Sequence, residues 1–175
     1  MPKAVFLDRD GTLIEEVNYL SDFSQIKIYP FAYDAVKILN KLNFLVFIIT
    51  NQSGVGRGYF SENFVKETNR IIIDDFNNKG ALISDFFYCP HHPDNNCNCR
   101  KPNIGMIEKA VAKYNIELSS SFIIGDSDKD VQTGINAGIF PIQVLTGHGK
   151  DNISDSGIVL PDLYTASLYI QNLAV

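Results

Sequence analysis

The chain has 175 residues, 45% of them hydrophobic and 20% charged, with a formal net charge of −5. That length suits one domain spanning residues 1–175, and the composition is that of a soluble globular protein rather than a disordered one. The acidic balance excludes nucleic-acid binding through a broad basic face.

"AVFLD" (Ala4–Asp8) is a short apolar run ending in a charge, as expected of a buried strand. Its apolar part is too short for the core of a signal peptide. "YPFAYDAVKILNKLN" places Ala32, Ala35, Val36, Leu39 and Leu42 at helical spacing. "FLVFIITN" is a second strand. Its apolar part is far short of the ~20 residues that a membrane helix needs. The chain is therefore expected to be cytoplasmic, without a membrane partner. Ser61 opens a long helix to Asn78, and "SDFFYC" is a third strand that runs into a loop holding all three cysteines. In a reducing compartment such a cluster suggests metal binding more than disulfides. A helix over Ile104–Tyr114, a strand "SSFIIGD", a short helix "KDVQTGINAG" with Gly138 as its C-cap, a strand "FPIQVLTG" and a helix over Asp162–Asn172 complete the chain. Strands apolar throughout, alternating with amphipathic helices, predict an α/β fold with one doubly wound parallel sheet.

In such a fold ligands bind beyond the carboxyl ends of the strands. Asp8 and Asp10 of "DRDGT" follow the first strand and point to the same side if the backbone stays extended. Paired carboxylates repel unless a cation sits between them, and hard oxygen ligands favour Mg²⁺. Asp126 and Asp130 of "GDSDKD" would complete the shell with water. One carboxylate can then attack phosphorus while the other shuttles a proton, with Thr50, Asn51 and Lys101 neutralising the phosphoryl oxygens. "GVGRG" (Gly54–Gly58) lacks the dinucleotide fingerprint and is expected to be a flexible loop facing substrate. Arg57 in it either meets a substrate anion or is solvated.

Cys89-x-His91 and Cys97-x-Cys99 together supply four ligands, which suits tetrahedral Zn²⁺; His92 competes with His91. Four protein ligands leave no open position, so this zinc would be structural. It would fix the loop just before Arg100 and Lys101.

"FLDRDGT", "IITNQSG", "CRKP" and "IIGDSDKD" occur in the order of the four motifs of the haloacid dehalogenase superfamily, and the resemblance runs from about Ala4 to Gly149. It implies that Asp8 is the nucleophile and Asp10 the general acid/base. It also implies that Thr50 or Asn51 and Lys101 bind the phosphoryl group. Mg²⁺ would be held by Asp8, the Asp10 carbonyl and Asp126, with Asp130 in support, and the short segments between motifs leave no room for a large cap domain. "DRDGT" combined with the cysteine loop resembles two phosphatase families, the heptose 1,7-bisphosphate 7-phosphatases and the histidinol-phosphate phosphatases. "TNQSGVGRGYFSE" and "CPHHP" look more like the former. The resemblance favours His91 over His92. It implies that Glu16, Val17, Asn18, Tyr19, Thr50, Asn51, Gln52, Ser53, Arg100 and Lys101 contact a small phosphorylated sugar; the chain is expected to be a monomer. Two departures are the close spacing of the ligand pairs and Ser127, where some members carry Lys. Histidinol phosphate or another small phosphomonoester is the alternative substrate. A non-catalytic, zinc-dependent interaction module is the alternative of another class.

Overall fold

The computed structural model describes residues 1–173. Strands β1 (Lys3–Leu7), β2 (Phe44–Asn51), β3 (Asp85–Cys89), β4 (Phe122–Gly125), β5 (Phe140–Val144) and β6 (Ile158–Leu160) form one sheet in the order β3-β2-β1-β4-β5-β6. Every pairing is parallel, with Leu7 opposite both Ile48 and Ile124. The five main helices are α1 (Pro30–Lys41), α2 (Glu62–Asn78), α3 (Gly105–Tyr114), α4 (Asp128–Ala137) and α5 (Leu163–Leu173).

Side chains alternate across a strand, so the apolar run of β1 feeds two cores. Val5 and Leu7 join Val46, Ile48 and Ile124 on the face covered by α1, α2 and α5. Ala4 and Phe6 join Phe47, Ile49 and Ile123 on the face where Met106, Ile107 and Ala110 of α3 pack. Fully apolar strands are what a sheet covered on both sides requires. The α4 helix ends as expected at Gly138, whose φ of +68° lies in the left-handed region open to glycine.

The differences from the sequence reading are small. The fifth strand stops at Val144 rather than running to Gly147, because the chain turns there toward the site. A sixth strand, only three residues long, extends the edge of the sheet. No helix among the described residues is long and apolar enough to cross a membrane.

The direction of strand addition reverses between β1 and β4. That is the switch point where an open α/β sheet leaves a crevice for ligands.

Candidate active site

Asp8 and Asp10 follow β1, Thr50 and Asn51 end β2, and Asp126 follows β4, so the sheet itself converges these groups on one crevice. Lys101 arrives from the loop after β3. Its ammonium lies 2.8 Å from Asp8 Oδ1 and 2.6 Å from Asp130 Oδ1, and it donates to the Ile49 carbonyl at 3.1 Å. Asn51 holds this arrival in place. Its side-chain amide accepts from Lys101 N at 3.0 Å and donates to the Lys101 carbonyl at 3.2 Å. Both ends of the Asn51 amide therefore grip the backbone that presents the ammonium.

Asp130 caps the start of α4, where its Oδ2 accepts from Ser127 Oγ at 2.5 Å and from Ser127 N at 3.2 Å. Its other oxygen meets Lys101. The side chains of Asp8, Asp126 and Asp130 each offer an oxygen within 4.8 Å of the others. Burial pushes the Asp8 carboxyl well up, against the pull of Lys101 and with help from Asp130, Asp126 and Asp10. Burial likewise raises Asp126 to about 6, although the His148 N–H donates to its Oδ2 at 2.7 Å. Convergent, buried carboxylates of this kind fit a divalent cation, whose charge would offset their repulsion.

The close quarters around Asp126 depend on two glycines. A Cβ built on Gly11 or on Gly147 would sit 2.2 Å from Asp126 Oδ2, and both residues have positive φ, +79° and +54°. Thr146 Oγ1 donates to the Gly11 carbonyl at 2.5 Å and ties the two loops together.

Asp10 is turned the other way. Its Oδ2 accepts from Gln52 Nε2 at 2.9 Å, and both its oxygens face the guanidinium of Arg9. Its side chain therefore stands outside the cluster of Asp8, Asp126 and Asp130. Gln52 Nε2 also lies 2.8 Å from Thr50 Oγ1, tying together the end of β2 and the residue after it.

The crevice is a cavity of about 560 Å³. Lining it are Asp8, Asp10, Glu16, Val17, Asn18, Tyr19, Thr50, Asn51, Gln52, Ser53, Arg100, Lys101 and Asp126. Arg57 is exposed and does not line it. Gly56 in the same loop instead lies against the cysteine loop, where a Cβ would come 2.3 Å from His92 N; Gly56 N donates to the Pro90 carbonyl at 2.9 Å. The glycines thus allow two loops to touch.

Several cleft residues carried no signal in the sequence. Arg9 between two aspartates looks like a solvated neighbour. The donor from His148 is a backbone N–H that no side-chain pattern reveals. Glu16 lines the cleft, and nothing in the sequence marks its chemistry. Burial and the nearby Asp10 raise its carboxyl to about 7, against the His148 imidazole, 3.7 Å away. Lys129 and Asn152 also line the cavity.

Cys89, His91, Cys97 and Cys99 gather in the loop after β3. Cys89 Sγ is 3.5 Å from Cys97 Sγ, Cys99 Sγ is 3.6 Å from Cys97 Sγ, and His91 Nδ1 is 3.2 Å from Cys99 Sγ. These separations are far beyond a disulfide bond. They approach the edge of a tetrahedron around Zn²⁺, which is about 3.8 Å for Zn–S bonds of usual length. Burial pushes the Cys89 thiol up to about 12, whereas hydrogen bonds from Cys89 and from the Arg100 N–H, acting against burial, bring Cys97 down to about 7. His92 stands outside the cluster, its Nδ1 accepting from Asp94 N at 3.3 Å.

Residues 98–169 match the family model described as HAD-hydrolase-like. The chain is 38% identical over 177 residues to the D-glycero-alpha-D-manno-heptose-1,7-bisphosphate 7-phosphatase of Photorhabdus laumondii, covering 97% of each. It is 40% identical over 143 residues to the corresponding beta-named phosphatase of Rhodopseudomonas palustris, covering 78% of this chain and 79% of the relative. The crystal structure of the D,D-heptose 1,7-bisphosphate phosphatase from B. bronchiseptica, complexed with magnesium and phosphate, superposes with a TM-score of 0.90 at 28% identity. That match covers 98% of this chain and 99% of the other. The chain belongs to the heptose-1,7-bisphosphate 7-phosphatase family of HAD-like hydrolases.

Proposed function

We propose that the chain, acting as one phosphatase domain and as a monomer in the cytoplasm, removes the 7-phosphate of D-glycero-D-manno-heptose 1,7-bisphosphate. The product, a heptose 1-phosphate, would feed nucleotide-activated heptose. The observation that carries this reading is the seating of Lys101 between Asp8 and Asp130 at the floor of a cleft lined by polar loops.

In the first half-reaction an Asp8 carboxylate oxygen forms a bond to phosphorus as the bond from phosphorus to the sugar oxygen breaks. Asp10 gives its proton to that leaving oxygen. In the second, Asp10 takes a proton from water as its oxygen attacks the aspartyl phosphate, and Asp8 and inorganic phosphate are regenerated. Lys101 and Thr50 would hold the phosphoryl oxygens, and Asn51 would act by fixing Lys101. Asp8, the Asp10 carbonyl and Asp126 would hold Mg²⁺, with Asp130 behind them. The metal would supply positive charge to the phosphoryl oxygens. Zn²⁺ on Cys89, His91, Cys97 and Cys99 would set the direction in which Arg100 and Lys101 leave their loop.

Substrate choice would rest on Glu16, Val17, Asn18, Tyr19, Gln52, Ser53 and Arg100. A panel containing both anomers of the heptose bisphosphate and histidinol phosphate tests this. A kcat/KM at least tenfold higher on one heptose anomer supports the reading, and a preference for histidinol phosphate overturns it.

A further inference from the structure

Arg9 is 2% exposed and is the largest of the fully buried side chains. Its Nε lies 3.2 and 3.1 Å from Asp10 Oδ1 and Oδ2, and its Nη2 lies 3.1 and 3.0 Å from the same oxygens. Behind it, Nη1 donates to Asn69 Oδ1 at 3.4 Å. Asn69 is fully buried on the inner face of α2, and its Nδ2 has no partner among the described residues. The orientation of that amide follows from the guanidinium: turning it would leave an oxygen unpaired and set N–H against N–H.

Stability alone does not account for this arrangement. A buried guanidinium carries a large desolvation cost, and an apolar residue of similar volume fills such a space at least as well. Among the described residues the Arg9 side chain hydrogen-bonds only Asp10 and Asn69. Arg9 and Asp10 both border the cleft, but Arg9 is 2% exposed and Asp10 18%, so the carboxylate is the more open of the two to a bound molecule. Gln52 at 2.9 Å and the Thr50 hydroxyl at 3.5 Å both meet only Oδ2, so among the described residues Arg9 alone holds Oδ1 and fixes the plane of the carboxylate.

We infer that Arg9 is a positioning residue: its side-on fork, backed by Asn69 of α2, fixes the Asp10 carboxylate in the orientation from which it exchanges protons. The inference rests on the reading of Asp10 as proton donor to the leaving oxygen. A displacement of well under an ångström at such a group is enough to slow proton transfer.

The test is leaving-group dependence. An alkoxide leaving group needs its proton during bond cleavage, whereas p-nitrophenolate does not, and kcat/KM reports steps up to that cleavage. In Arg9→Gln, kcat/KM on an alkyl phosphate (the heptose bisphosphate or another substrate it accepts) is expected to fall about 10²-fold. The fall on p-nitrophenyl phosphate is expected to be at least tenfold smaller. Arg9→Lys, which keeps the charge but not the fork, shows the same bias, and Asn69→Ala shows it at about threefold. An equal fall on both substrates would make the role of Arg9 purely structural and overturn the inference. Should Arg9→Gln not fold, Asn69→Ala decides the matter by the same criterion. Asp10→Asn measured alongside separates the two readings. If it too lacks the bias, the assignment of Asp10 fails; if it alone shows the bias, the role of Arg9 fails.

Discussion

Lys101 Nζ stands 2.8 Å from Asp8 Oδ1, although two strands, two helices and the whole cysteine loop separate the two residues in the chain. Only 3% of the lysine side chain is exposed, and its second carboxylate partner, Asp130, is buried as well. Replacing it therefore leaves two carboxylates facing each other. Lys101→Met is expected to lower kcat/KM about 10²- to 10³-fold, the range seen when one preorganised electrostatic group is lost. In metal-free buffer it should also cost about 3 kcal/mol of stability, part of which returns on adding Mg²⁺. Urea melts with and without Mg²⁺ check both signs.

The cysteine cluster predicts a different phenotype. Cys97→Ser should reduce bound zinc below one atom per chain and lower kcat/KM about tenfold by loosening the segment that delivers Lys101. Zinc analysis together with hydrogen exchange over residues 90–101 measures it. Unchanged zinc content would remove Cys97 from the ligand set.

Gly147 tests the proposed metal seat from the other side. Alanine there puts a methyl group 2.2 Å from Asp126 Oδ2 and forces a positive φ on a residue that resists it. Gly147→Ala should raise the Mg²⁺ concentration for half-maximal activity at least tenfold. The backbone strain itself should cost only about 1 kcal/mol in a denaturant melt.

Asp85 at the start of β3 gives a stability prediction with a definite pH sign. Burial alone would raise its carboxyl. Lys113 at 2.7 Å, the Phe86 N–H at 2.8 Å and the Tyr114 hydroxyl at 2.9 Å instead hold it below the usual range. A depressed folded-state pKa contributes stability above the unfolded pKa and loses it as pH falls through the folded value. Asp85→Asn should therefore be less stable than the parent by about 1 kcal/mol at pH 7, since the site is partly exposed. The gap should close as the pH drops below the ordinary aspartate range.

Much of this was legible in the sequence because two signals are local. A buried parallel strand is apolar at every position, so β1 and β2 announce themselves, and the residues that follow them must line the crevice. Cys-x-His and Cys-x-Cys likewise name the cluster before any coordinates do. The sequence could not choose between His91 and His92 by spacing; in the structure His92 turns away to cap the next turn. Strand β6 escaped because three residues between a turn and a proline carry no period. Arg9 escaped because its meaning lies in Asn69, on a helix far along the chain. The donors to Asp126 and Lys101 escaped because they are backbone groups or an amide that looks like a phosphate ligand.

Asp8 is expected to become phosphorylated during turnover. Borohydride added during single-turnover reaction with the heptose bisphosphate reduces an aspartyl phosphate to homoserine. Peptide mass spectrometry should find homoserine at position 8 in the parent and none in Asp8→Asn. Phosphate release at full rate with position 8 unmodified at every time point, or homoserine at another aspartate, would contradict the account.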